Sequence, residues 1–198
     1  MAIEIFKRKE QKYLITMEQY DALIEQIATF MRPDKFGIDG RYTVTSLYFE
    51  SEDNKIYYET KNKLKYRQKL RLRVYNDADL NSTAFFEVKQ KHKKVVNKRR
   101  MLLPLSEAYR YLHSMEEDLD TFETSNHQVL REIDYFRKLY HLEPAMVVSY
   151  DRHALHSKTD SDLRITFDLN LRCRNGDLKL ENGPYGNQFI DENLSYLK

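Results

Sequence analysis

The sequence is poor in residues that break or cross-link a chain. Among 198 residues there is one cysteine, Cys173, so an internal disulfide is excluded and a reducing compartment fits. Flanked by Arg172 and Arg174, this thiol is a candidate reactive group, although single cysteines are more often structural. Five glycines and four prolines leave little material for long flexible linkers, and no low-complexity tract or fixed-period repeat is present. No stretch of ~18 apolar residues occurs, so no membrane-spanning helix is expected. The opening MAIEIFKRKE lacks the apolar run of a signal peptide, which makes the cytoplasm the expected location. Excess charge is also scarce: the net value is +2, too small to indicate nucleic acid by itself.

Hydrophobic residues at 41% and charged residues at 32% describe a soluble globular chain, of a size that suits one domain over 1–198. Residues 3–14 alternate as a strand. Thr16 and Gln19 have the spacing of a capping box, and Met17, Tyr20, Leu23, Ile24, Ile27, Phe30 and Met31 form a helical stripe ending before Pro33. Residues 42–50 read as a strand and 52–61 as a short helix or turn. The segments 64–75, 83–92 and 94–103 read as a meander of strands. Ser106 is placed as the cap of a helix reaching about Met115, and a second helix is expected from about Ser125 to His141, ended by Pro144. A hairpin at 145–156 and 162–171 follows, then one short strand at 177–181. The remaining tail has turn composition. Strands interrupted by helices in this order indicate an α+β fold with a mostly antiparallel sheet.

The charge lies in phase with the strands. Side chains alternate faces along a strand, so Arg67, Lys69, Arg71 and Arg73 share one face while Leu70, Leu72 and Val74 take the other. Glu87, Lys89 and Lys91 oppose Phe86 and Val88. Lys98 and Arg100 share a face from which Arg99 points away. Asp162, Arg164, Thr166 and Asp168 oppose Leu163, Ile165, Phe167 and Leu169. Arg8, Glu10 and Lys12 share a face, as do Tyr150 and Arg152. A sheet with one wet, solubilising face explains any single strand. Six strands of this kind, rich in arginine, point instead to a sheet closed with its polar face inward. Such an electropositive bore focuses potential and binds phosphate through bidentate arginine contacts.

The segments RKEQKY (8–13), TSLYFES (45–51), KLRLRVY (69–75), FFEVKQK (85–91), KRRMLL (98–103), VVSYDRHAL (147–155) and LRITFDLNLR (163–172) resemble, in order, the VTC (vacuolar transporter chaperone) domain. That is the polyphosphate polymerase branch of the triphosphate tunnel metalloenzymes, a CYTH-like superfamily. The resemblance implies an antiparallel β-barrel or tunnel with helices packed outside. It also implies a divalent metal, Mn or Mg, and transfer of the ATP γ-phosphoryl group to polyphosphate. Carried over motif by motif, the phosphate-binding residues are Lys12, Arg71, Arg73, Lys89, Lys98, Arg152 and Arg164, with Arg71, Arg73, Lys89, Arg152 and Arg164 carrying the catalysis. Glu10 is the metal candidate, and Glu87 is the other carboxylate facing the bore. The family's late Glu-x-Lys strand and terminal Ser-Lys-Tyr segment have no counterpart here. The resemblance therefore implies a barrel incomplete at its C-terminus, open on one side, with a strand edge through which a homo-oligomer could form.

Two other readings stay open. One is a tunnel hydrolase of triphosphates or nucleotides, which would favour a more acidic bore. The other is a non-catalytic module binding polyphosphate or nucleic acid, although a narrow tunnel makes nucleic acid the lesser partner. No Walker-type phosphate loop is present. The six histidines lack helical zinc spacing. The tyrosines and phenylalanines fall mostly on apolar faces and read as core.

Overall fold

The computed structural model describes residues 11–93, 95–114 and 117–198. Ten strands form one antiparallel sheet: β1 (Tyr13–Thr16), β2 (Met31–Pro33), β3 (Arg41–Glu50), β4 (Tyr66–Tyr75), β5 (Thr83–His92), β6 (Val95–Pro104), β7 (Glu143–Ser157), β8 (Arg164–Arg174), β9 (Asn187–Gln188) and β10 (Leu194–Leu197). Its order is β1-β10-β8-β7-β3-β4-β5-β6, with β2 added to β7 and β9 to β8. Among the described residues the sheet does not close, and β1 and β6 are its edges.

Four helices among the described residues cover one face: α1 (Met17–Ile27), α2 (Lys55–Lys61), α3 (Leu105–His113) and α4 (His127–Tyr140). Leu70, Leu72, Phe86 and Val88 from the sheet pack with Ile56 of α2, Leu105 and Tyr111 of α3, and Leu130 and Ile133 of α4. A second cluster joins Phe167, Leu155 and Ile15 to Tyr20 of α1. The Tyr20 hydroxyl lies 2.9 Å from His153 Nδ1 and accepts from Arg41 at 2.9 Å, which pins α1 to the sheet. Both clusters lie on the outer face. A third, of Tyr42, Val44, Tyr150, Ala154 and Leu171, with Ile190 and Tyr196 against it, lies on the inner face.

The capping box at Thr16 and Gln19 is present, with reciprocal bonds of 3.1 and 3.0 Å. Other boundaries differ from expectation for identifiable reasons. Residues 1–10 of the first expected strand lie outside the described residues. Ser106 does not cap α3: the helix begins at Leu105, and the N–H groups of Leu105 and Ser106 donate to the carbonyls of Ser82 and Leu80 at 3.0 and 2.8 Å. The β4–β5 loop thus supplies the acceptors that a cap would. Asn126, rather than Ser125, caps α4, accepting from Val129 N–H at 3.1 Å. The helix stops at His141, which adopts a left-handed conformation, and Pro144 pairs with Phe49 inside β7.

The expected strand at 177–181 is a 3-10 turn, Leu180–Asn182. The buried Arg174 guanidinium donates to the carbonyls of Asp177, Lys179, Gly183 and Tyr185 at 2.6 to 2.9 Å, so the backbone circles one side chain instead of pairing. The tail, expected to hold only turns, supplies β10, which lies between β1 and β8 and pairs Tyr13 with Leu197 and Tyr196 with Asp168. Four residues are too few for alternation to show in a sequence. Among the described residues the opening in the sheet lies between β1 and β6.

Candidate functional site

The inner face carries a continuous band of charge across the sheet. On β5, Glu87 is 1% exposed. It accepts from Arg71 Nε of β4 at 2.5 Å and pairs with Lys98 of β6. Arg71 also donates to the Tyr48 hydroxyl of β3 at 3.4 Å. Two residues along β4, Arg73 donates to Ser46 Oγ at 2.9 Å and to the Tyr150 hydroxyl at 3.0 Å. Tyr150 also accepts from Arg152 at 3.2 Å, so one phenol spaces two arginines. Arg152 grips Asp168 of β8 with bonds of 2.7 and 2.9 Å, and Lys198 pairs with the same carboxylate. At the far end of β8, Arg164 donates to Asp34 and to the Tyr42 hydroxyl, both at 2.8 Å.

Register explains why these residues meet. Ser46 and Tyr48 stand opposite Arg73 and Arg71, Glu87 stands between Arg71 and Arg100, and Arg152 stands opposite Asp168. Each pair shares a face because side chains alternate along every strand. The sheet also curls: the charge of Lys12, which precedes β1, acts on Lys69 of β4, five places away in strand order.

The electrostatics of the band are those of a cation surplus. Burial pushes the Glu87 carboxyl up, but Arg71 and Lys98 outweigh it and hold the group at about 2. Burial, with Arg71 and Arg73 beside it, brings the Lys98 ammonium down to about 8 against the pull of Glu87. Burial alone would raise the Tyr48 phenol, yet Arg71, Arg73 and Lys69 bring it down to about 8. Burial lowers Lys69 as well, with Lys12 and Arg67 adding to the effect. Lowered ammonium groups beside a lowered phenol indicate a site short of negative charge.

Of the residues singled out from the sequence, Arg71, Arg73, Lys98 and Arg152 thus belong to one network. Arg164 sits next to it through Tyr42. Lys89 stands opposite both Lys69 and Lys98 toward the exposed end of the band, and Lys12 acts there electrostatically. Glu10 lies outside the described residues. Arg99 points to the other side and pairs with Glu132 of α4. Sequence reasoning missed Tyr48, Tyr42, Ser46, Asp34 and Lys198. Their signal was parity with the cationic faces, which becomes readable only once register is known. Asp168 and Tyr150 were placed on the correct faces, without the role of Asp168 as partner of Arg152 or of Tyr150 as the bridge between Arg73 and Arg152.

A divalent ion needs carboxylates free to coordinate it. Among the described residues no group of three or more His, Cys, Asp or Glu side chains gathers to hold a metal. Glu87 and Asp168 are each held by two cations. The described residues therefore do not form a metal site of their own.

No curated protein sequence matches this chain. Among solved structures, a candidate adenylate cyclase from Bacillus halodurans superposes with a TM-score of 0.53 at 18% identity, over 94% of this chain and 77% of that one. This likeness concerns the fold alone, an antiparallel α+β sheet of the CYTH-like tunnel type. The family model for the VTC domain matches residues 7–197; the chain belongs to the VTC domain family.

Proposed function

We propose that this chain is a phosphotransferase of the polyphosphate polymerase type, taking the γ-phosphoryl group of ATP onto a phosphate chain end within the cationic bore. The observation that carries the reading is the continuous band from Lys98 to Lys198, in which arginines outnumber the carboxylates and are spaced by phenols and a serine hydroxyl. Phosphoryl transfer requires positioning and charge neutralisation more than a protein nucleophile. Arg71 and Arg73, two residues apart on one strand, would hold adjacent phosphates. Arg152, fixed by Asp168 and Tyr150, would hold the next. An acceptor phosphate is already ionised, so no general base is needed. Lys89, Lys98, Arg164 and Lys12 would complete the neutralisation.

CYTH-like tunnel proteins generally use divalent metals, and Mn or Mg is the cofactor in this reading, with Glu10 the residue assigned to it. Since Glu87 and Asp168 are engaged with cations, the ion would enter on the nucleotide's own phosphates. The cation surplus favours a phosphate acceptor over water, because a hydrolase gains nothing from binding a second polyanion. Incubation with ATP and manganese tests the assignment. Growth of polyphosphate supports it, release of free phosphate alone assigns a tunnel hydrolase, and absence of turnover with retained triphosphate binding assigns a binding module.

A further inference from the structure

Helix α1 is held to the sheet chiefly by one residue. Tyr20 is its single buried side chain, while Met17, Leu23, Ile24 and Ile27 are only partly buried against the cluster of Phe167 and Leu155. An isolated helix of eleven residues is marginal in water, so α1 depends on that docking. The hydrogen bonds at the Tyr20 hydroxyl fix a protonation state. A phenol has one proton to give and two lone pairs. Arg41 Nη2 of β3 donates to the oxygen at 2.9 Å, and among the described residues the acceptor beside the proton is His153 Nδ1 of β7, also at 2.9 Å. Tyr20 therefore donates, and the His153 ring is neutral with its own proton on Nε2. Burial, and then Arg41, push the His153 pKa down, in keeping with that arrangement.

We propose that the Tyr20–His153 contact is an acid-sensitive latch, which docks α1 and the strand joined to it while His153 is neutral and releases them when the ring is protonated. An imidazolium carries protons on both nitrogens, so Nδ1–H and the Tyr20 O–H would point at each other. The phenol proton would have to turn toward Phe167, whose ring lies edge-on to Tyr20 at 4.9 Å, or toward Ile15 and Met31, none of which accepts it. The new charge would also stand beside Arg41 at the same oxygen. The acids of the surrounding elements are engaged or remote. On this face of β7 the next carboxylate is Asp151, which accepts from Thr43 and Asn170 at 2.9 Å each. Glu18, Asp21 and Glu25 of α1 are exposed, and β8 and β2 present Phe167 and Met31. A group whose pKa is lowered by folding withdraws stability as pH falls, so the latch is intact above the ordinary histidine value of 6.5 and weakens below it. Thr16 both ends β1 and caps α1, so strand and helix move together. β1 is an edge strand, paired with β10 over four residues beside the opening toward β6. Acid would therefore loosen the wall of the sheet that borders its opening. The inference does not depend on the proposed activity.

Hydrogen exchange of the ligand-free protein at pH 7.5 and pH 5.5, corrected for the intrinsic pH dependence of exchange, tests the latch. In wild type the amides of α1 and β1 should lose protection severalfold at the lower pH, up to about tenfold, the limit for one proton over the unit below 6.5. Those of β4 and β5 should keep theirs. His153→Gln, which cannot take up the proton, should show equal protection at both pH values. Arg41→Gln should shrink the loss, because the imidazolium then has no cation at the shared oxygen, and this variant decides the matter if His153→Gln does not fold. Unchanged protection of α1 and β1 in wild type overturns the latch. So does a loss shared equally by β4 and β5, or one that persists undiminished in either variant that folds. None of these outcomes bears on phosphate binding in the bore.

Discussion

The two ends of the inner face are built on opposite principles. At the exposed end, Arg67, Lys69, Lys89, Lys91 and Lys98 face one another across neighbouring strands, with Glu87 as the acid beneath them. At the inner end, Val44 is 0% exposed and Tyr42, Tyr150 and Leu171 are each 8% exposed. There the charges are matched: Asp168 answers Arg152 and Lys198, and Asp34 answers Arg164. Among the described residues no helix covers this face, so such low exposure means that the side chains fill the interior at that level. The inner end holds the walls together through matched charges, and at the outer end cations stand opposite cations on neighbouring strands. If the proposed function holds, one sheet divides stability and binding along its strands instead of between its two faces.

The largest effect should come from breaking the balanced end. Asp168 is 0% exposed, and removing its charge would leave the half-buried Arg152 and Lys198 without their shared partner. Loss of one member of a buried pair typically costs about 3 to 5 kcal/mol. Asp168→Asn should lower stability by that order in urea unfolding at pH 7. A loss under about 1 kcal/mol would show that the inner end is not what holds the walls.

Glu87 gives a comparable effect through pH. Its carboxyl sits at about 2 against an ordinary value of 4.5. Its stabilising contribution is therefore fully present above pH 4.5 and is lost as pH falls from there toward 2. At roughly 1.4 kcal/mol per unit, the contribution is on the order of 3 kcal/mol. Wild type should lose stability steeply across that window, and Glu87→Gln should show a flatter profile there. Identical slopes in the two proteins would remove Glu87 from the account.

Arg73 lies between the two regimes. It is 4% exposed, yet both its hydrogen bonds go to neutral hydroxyls, so an arriving phosphate would be its first strong acceptor. A charge-assisted hydrogen bond is worth about 1.5 to 3 kcal/mol. Arg73→Ala should weaken tripolyphosphate binding by about tenfold to a hundredfold, and Arg73→Lys by less, because the charge survives while the planar fork is lost. A thermal-shift titration reads this directly, since a ligand at ~100 times its dissociation constant adds about 2.7 kcal/mol. Equal shifts in wild type and both variants would exclude Arg73 from the ligand.

How much of this was legible from residues alone follows from what alternation encodes. Period two in 66–75 separates Arg71 and Arg73 from Leu70 and Leu72 without any structure, and the same holds for Phe167 against Asp168. The core faces and the cationic faces could therefore be read. Alternation says nothing about which strand stands beside which, so Tyr150 bridging Arg73 and Arg152, across 77 and 2 residues of sequence respectively, could not be read. Short elements also escaped: β10 has four residues, and the 177–185 segment is organised by Arg174, a residue that precedes it. The start of α3 was misjudged because its first N–H groups are satisfied by a distant loop.

The smallest effect should carry the opposite sign. Lys69 stands opposite Lys89, with Lys12 and Arg67 also acting on it, and burial pulls its ammonium down. Removing one charge from this crowd should relieve cross-strand repulsion. Cross-strand charge pairs are worth roughly 0.2 to 1 kcal/mol, so Lys69→Gln should stabilise the ligand-free protein by about 0.5 kcal/mol while weakening polyphosphate binding. Both changes should shrink in high salt, where the Debye length falls to about 3 Å at 1 M. Arg99→Ala is the control on the opposite face of β6. Its ion pair with Glu132 has side chains 34% and 33% exposed, so its loss should cost about 0 to 1 kcal/mol and leave ligand affinity unchanged. If Lys69→Gln instead destabilises the empty protein as Arg99→Ala does, Lys69 belongs to the balanced end, and the division of the sheet into a structural and a binding half fails at that residue.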